Sequence, residues 1–181
     1  LINKLIKKQS KIRKLDIHYF NKIYFLIEDC KKYGTFAFSG IARCAFVGVE
    51  MLNSFVEEKI ISAMDKDRFL NSIKTINKEM QYDLIKFSKK KFIRKYGHLR
   101  PNTYEITSLN YIDGYKLYFS NKEKKNVWFK SKPEKISFSL KEKQKINKFL
   151  KNSKLNLNFN EFIKYIKESI KMREYSKHVF T

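Results

Sequence analysis

Gly34-Thr35-Phe36-Ala37-Phe38-Ser39-Gly40-Ile41-Ala42-Arg43-Cys44-Ala45-Phe46-Val47-Gly48-Val49 contains a single charged residue, Arg43, in a chain where 32 per cent of residues are charged. A helix apolar on all sides is normally enclosed by others, so this stretch reads as the central helix of the fold. Phe38, Ile41, Ala45, Val49 and Leu52 share one face, and Gly40, Cys44 and Gly48 recur at i, i+4 and i+8 as a small-residue groove. Side chains this short let another backbone or a ligand approach closely. Arg43 is then a charge on a buried helix, and removing one partner of a buried pair costs roughly 3 to 5 kcal/mol. It is expected to form a structural ion pair, with Glu105 or Glu50, or to contact an anionic ligand.

Working outward, the flanking segments also carry helical patterns. Leu5, Ile12 and Leu15, followed by Phe20, Ile23, Tyr24 and Ile27, predict one or two amphipathic helices, with Gly34 as their stop. Ser62 with Asp65 caps a third helix whose stripe runs Phe69, Ile73, Ile76, Met80, Leu84 and Phe87. Ser88 starts a short basic helix carrying Phe92 and Ile93, closed by Gly97. The pattern then turns irregular, and a short strand pair is expected at 116–119 and 126–129, joined through the charged stretch 120–125. Ser139-Leu140-Lys141-Glu142 has capping-box form and opens a helix to about Leu150. Asn158 with Glu161 opens the last, whose stripe Phe159, Phe162, Ile163, Ile166 and Ile170 extends onto Arg173, an unusual residue for an inward face. The expectation is a single all-α domain over 1–181, an irregular bundle of about six helices with one long, partly extended excursion between Gly97 and Pro133.

Composition narrows the classes. A length of 181 residues with 43 per cent hydrophobic content suits one domain with its own core. The net charge of +22 points toward nucleic acid or another anionic surface. The basic residues are 34 Lys and 6 Arg, beside heavy use of Ile, Asn, Phe and Tyr, the amino acids that AT-rich codons favour. With no basic-aromatic recognition module present, a nucleic-acid-binding module is the minor alternative, and Lys89-Lys90-Lys91 reads as a solvated face. Against a Lys background, each Arg marks a place where a planar, forked donor is useful. Cys30 and Cys44 lack metal-ligand spacing and read as free thiols in a reducing cytosol, with no metal site. The weakly charged run from Tyr33 to Val49 is broken by Arg43 and falls short of the roughly 20 residues of a bilayer span, so no membrane partner is expected. Leu1 rather than Met begins the chain, and Thr181 ends it on a helical pattern without a capping Gly. Both ends are expected to be cuts within a larger protein.

The densest set of polar groups is Tyr96-Gly97-His98-Leu99-Arg100-Pro101-Asn102-Thr103-Tyr104-Glu105, which reads as a binding loop. His98 serves either as a helix-end or core residue or as an acid, base or donor near neutral pH. Arg100 is held extended by Pro101 and projects a guanidinium suited to a carboxylate, a phosphate or an interdomain ion pair. Glu105 is the carboxylate that would orient either one. The five glycines never cluster into a phosphate loop, and neither a paired-His metal motif nor a G-x-S-x-G turn occurs. Catalysis by this segment alone is not expected.

Three segments together resemble the middle region of phosphoenolpyruvate synthase-like, PEP-utilising enzymes. They are Lys32-Tyr33-Gly34-Thr35-Phe36-Ala37-Phe38-Ser39-Gly40-Ile41-Ala42-Arg43, then Tyr96 through Ile106, then Arg173-Glu174-Tyr175-Ser176-Lys177-His178-Val179-Phe180-Thr181. The resemblance implies an ATP-grasp domain before this chain and a phosphohistidine domain after it, with ATP and Mg²⁺ bound there and no cofactor in this segment. It implies a cytoplasmic phosphotransferase or kinase, similar in flavour to capsule-biosynthesis members such as L-glutamine kinase. Under it, Arg43, His98, Arg100, Glu105 and Arg173 are the candidate substrate-binding residues for a small-molecule acceptor. The alternative is a non-catalytic spacer that docks the neighbouring domains. The chain departs from the family at Phe36-Ala37, where Leu-Pro is frequent, at Asn102 for Gly, at Glu105 for Asp, and at Leu109-Asn110-Tyr111 for Pro-Arg-Tyr.

Overall fold

The structure, a computed structural model, describes residues 1–101, 105, 107–120 and 137–180. The second expected strand, at 126–129, and the loop residues Asn102 to Tyr104 lie outside the described residues. Within them all regular structure is helical, in eight continuous stretches rather than about six.

Helix α1 (Ile2–Lys14) is followed by α2 (Tyr19–Asp29), a π-helical turn (Cys30–Thr35) and α3 (Phe36–Glu57). Gly34 does not stop the chain there. A glycine ends a helix by turning left-handed, and no described glycine has a positive φ. The backbone instead widens through one π turn, and Tyr19–Glu57 runs as one helix of 39 residues.

The stripe from Phe69 to Phe87 is two helices, not one. Ser62 Oγ accepts from Asp65 N at 3.0 Å to cap α4 (Ala63–Ser72) as expected. Ile73 then turns extended, and Thr75 Oγ1 accepts from Lys78 N to cap α5 (Ile76–Lys86). A threonine oxygen satisfies the orphan amides of a new helix start, so the break is encoded at Thr75. Helix α6 (Lys89–Tyr96) starts at Ser88 as expected.

The first expected strand, at 116–119, is instead the helix α7 (Tyr115–Phe119). Tyr115, Tyr118 and Phe119 stand at i, i+3 and i+4, which places their rings together only on a helix. The Phe119 ring lies 5.0 Å from Tyr111 and 5.4 Å from Phe92.

Helix α8 (Leu140–Asn152) carries the expected capping box, with Ser139 N donating to Glu142 Oε2 at 2.7 Å and Glu142 N to Ser139 Oγ at 3.2 Å. Asn158 and Glu161 make the same reciprocal pair at the start of α9 (Phe159–Phe180).

The described residues form two compact units. The first holds α1 to α4 with α8 and α9, around Leu52, Phe55, Phe69, Ile146, Leu150, Phe162 and Ile166. Its main packing is α3 against α9. The second holds α5 to α7 around Phe92, Tyr96 and Tyr111.

Candidate functional site

In the first unit the site is set by how α3 meets α9. A Cβ on Gly48 would lie 3.1 Å from Ile166 Cγ1, so this glycine is the position that lets α9 sit close. One turn earlier, Tyr165 donates its hydroxyl to the Cys44 carbonyl at 2.8 Å. Further along, the helices part: a Cβ on Gly40 would meet nothing within 4 Å. The opening is a groove of about 780 Å³ whose wall includes Phe36, Ser39, Gly40, Arg43 and Cys44 from α3 and Tyr165, Glu168 and Met172 from α9. The small-residue row thus serves two ends differently, holding a helix at Gly48 and bounding a space at Gly40 and Cys44.

Arg43 corrects the sequence reading. It is exposed, as are Phe36, Phe46 and Val47, so α3 buries only the face of Ala42, Ala45, Gly48, Leu52 and Phe55. No buried ion pair is required, and among the described residues Arg43 has no carboxylate partner. Glu50, one expected partner, accepts from Asn53 Nδ2 instead. The other, Glu105, accepts from Thr107 N at 3.1 Å and Thr107 Oγ1 at 2.7 Å. Those two bonds hold its exposed carboxyl below the usual carboxylate range.

Arg173 is half-buried on α9. Its Nε and Nη2 both donate to Glu174 Oε1, at 3.1 and 2.9 Å, and its guanidinium lies 5.4 Å from the Phe46 ring centre. Stacking on an aromatic ring is a common resting place for arginine. It explains why an Arg fits on this stripe.

His98, Arg100 and Glu105 belong to the second unit, Arg43 and Arg173 to the first. His98 is exposed and Arg100 half-buried, just past the end of α6. The loop's first residue, Tyr96, belongs to the core: it is fully buried and its hydroxyl donates to Asp83 Oδ2 at 2.8 Å. Lys95 Nζ reaches Asp83 Oδ2 at 2.7 Å and Glu79 Oε1 at 2.6 Å. Burial works to raise the Asp83 carboxyl, but the bonds from Lys95 and Tyr96 outweigh it and the net direction is down. Burial pushes the Tyr96 phenol up to about 12, and the Asp83 carboxylate adds to the rise. This network escaped the sequence reading. Its signal was Asp83 standing three residues after Met80 and four before Phe87, a carboxylate at a position facing the apolar stripe.

Gly97 closes α6 for reasons of space. Its backbone is right-handed, but a Cβ there would run into the Ile93 carbonyl and come within 2.7 Å of Ile112 Cγ1. Cys30 and Cys44 are both free thiols, and no cluster of three metal-ligating side chains occurs among the described residues. No family model, curated protein or solved structure matches this chain.

Proposed function

We propose that this chain is the acceptor-binding helical domain of an ATP-dependent, phosphoenolpyruvate synthase-like phosphotransferase that phosphorylates a small amino-acid-like molecule such as L-glutamine. The observation that carries this reading is the groove between α3 and α9. It has an apolar wall, one guanidinium without a carboxylate partner among the described residues, Arg43, and one exposed carboxylate, Glu168, held only by a long 4.0 Å surface pair with Lys164. An amino acid offers the complementary pair, a carboxylate for Arg43 and an ammonium for Glu168. The groove-lining residues Phe36, Ala37, Ser39, Gly40 and Arg43 all fall in the first segment of the family resemblance.

Phosphoryl transfer asks mainly for positioning and charge neutralisation from the protein. Arg43 would fix the acceptor through its carboxylate. ATP and Mg²⁺ would belong to neighbouring ATP-grasp and phosphohistidine domains, in the cytoplasm. Calorimetric titration of the chain with L-glutamine and a panel of small amino acids tests the reading. Saturable binding weakened about tenfold by Arg43→Ala supports it, and silence across the panel sinks it.

A second reading, a spacer that docks catalytic domains, draws on Arg173 and Glu105 being satisfied locally, by Glu174 and Thr107. Under it Arg100→Ala in the parent enzyme impairs ATP-dependent autophosphorylation as well as acceptor turnover. An acceptor site leaves autophosphorylation intact.

A further inference from the structure

Helix α2 is turned inside out. Its only buried residue is Asp29, while Phe20, Ile23, Tyr24 and Ile27, at i, i+3, i+4 and i+7, are 71, 47, 62 and 50 per cent exposed. Tyr19 beside them is 64 per cent exposed. An apolar stripe of this regularity is a binding face awaiting its partner.

The charge around it selects the partner. Helix α1, which packs on α2, carries Lys4, Lys7, Lys8, Lys11, Arg13 and Lys14 and no acidic residue. Over residues 1–32 nine basic residues face three acidic ones, a net of +6. Two of those acids are already engaged, Asp29 by Lys8 at 2.7 Å and Glu28 by Lys31 at 2.7 Å. At the α1 and π-turn junction the ammonium groups of Lys4, Lys8 and Lys32 converge on one ring, 4.8, 5.3 and 5.8 Å from the centre of Tyr33.

We propose that the α1–α2 hairpin docks on an anionic lipid surface, with the Phe20, Ile23, Tyr24 and Ile27 stripe entering the headgroup layer and the α1 lysines contacting lipid phosphates and carboxylates. Aromatic rings with polar edges settle at the boundary between headgroups and chains, and a cluster of four to eight Lys or Arg on an amphipathic helix is the usual complement of anionic lipid. A second copy of the chain is a poor occupant, because each copy brings a charge of +22 to the contact. The proposed contact is peripheral, although by length and composition alone the continuous Tyr19–Glu57 helix is long and apolar enough to cross a membrane. It does not rest on the acceptor reading.

Co-sedimentation of the full chain with phosphatidylcholine vesicles, with and without about 30 mol per cent phosphatidylserine, tests it. The anionic vesicles should bind at least about tenfold more tightly. Phe20→Ser with Tyr24→Ser should cost about tenfold with an unchanged far-ultraviolet spectrum, and Lys7→Glu with Lys11→Glu should bring binding down toward the neutral-vesicle level. Leu117→Ser, equally exposed at 71 per cent but in the other unit, should bind as the parent does. Failure to bind anionic vesicles overturns the proposal, as does binding that survives the loss of both rings. A concentration-dependent dimer abolished by Phe20→Ser with Tyr24→Ser also overturns it, by giving the face to a second copy.

Discussion

Helices α2 and α5 are both eleven residues long, both carry an apolar stripe at helical spacing, and both bury one aspartate paired with a lysine at 2.7 Å. In α5 the stripe of Ile76, Met80 and Leu84 packs on the aromatic core of Phe92, Tyr96 and Tyr111, beside the paired Asp83. In α2 the aspartate is inside and the stripe is outside. The difference lies in what each helix finds next to it. Helix α6 is as Lys-rich as α1, but it turns its buried rings toward the stripe of α5, whereas α1 packs on α2 on the side of the buried Asp29, through Lys8. Periodicity says that a helix has an apolar face; the neighbour decides whether that face becomes core or surface.

The contrast is most easily broken by truncating one ring on each side. Phe92 is fully buried and meets Tyr96, Tyr111, Tyr115 and Phe119. Phe92→Ala should cost about 4 kcal/mol of stability in a urea titration, while Tyr24→Ala in α2 should stay within about 0.5 kcal/mol. Comparable losses at both would mean that the α2 stripe is buried in solution. Next in size is Gly48→Val, which should destabilise the first unit by about 2 kcal/mol by forcing α3 and α9 apart. Thermal unfolding reads the loss, and Gly40→Ala, inside the same helix with open space around it, should instead raise the midpoint, by about 0.5 to 1 kcal/mol of stability.

The two ends of the pH scale sharpen the comparison within the second unit. The folded Asp83 carboxyl lies below its ordinary 3.8. Its contribution is therefore complete above that value and is lost as the pH falls through the depressed folded one. Asp83→Asn should flatten this acid limb in denaturation curves taken across the range. Tyr96 runs the other way. Its phenol is raised from 10.0 to about 12, so the stability it contributes is present below 10.0 and fades as the pH climbs through about 12. A tyrosinate absorbance titration should show late-ionising rings, Tyr111 and Tyr165 being raised by burial as well, and Tyr96→Phe should remove the component at about 12. The smallest effect belongs to Lys59, which closes α3 with φ 53, in the left-handed region. Lys59→Gly should stabilise the first unit by a few tenths of a kcal/mol up to about 1.

Much of this architecture was written in local signals. Ser62, Ser88, Ser139 and Asn158 cap the helices expected of them, because a short polar side chain beside orphan amides acts within its own turn. The helix ends at Lys59 and Lys154 fall close to where the apolar patterns stop, without a glycine to mark them. Both use a lysine in the left-handed region, with Ile60 N bonding to Phe55 O and Leu155 N to Leu150 O, where a glycine is the usual signal. Gly34 misled in the opposite sense, since a glycine permits a left-handed turn without requiring one. At the candidate site, Gly40 and Cys44 of the small-residue row border the groove, but the pairing expected for Arg43 does not occur among the described residues. An apolar helix predicts enclosure, whereas Arg43 stands exposed at the rim of a groove.

The chain alone determined that it would be helical, where most helices begin, and which residues share a face, because those depend on contacts within four residues. Only the tertiary structure decided that the 69–87 stripe feeds two cores, that Asp83 and Tyr96 form one buried pair, and that the α2 stripe points outward. Each of those depends on which surface a distant part of the chain presents, and periodicity carries no record of it.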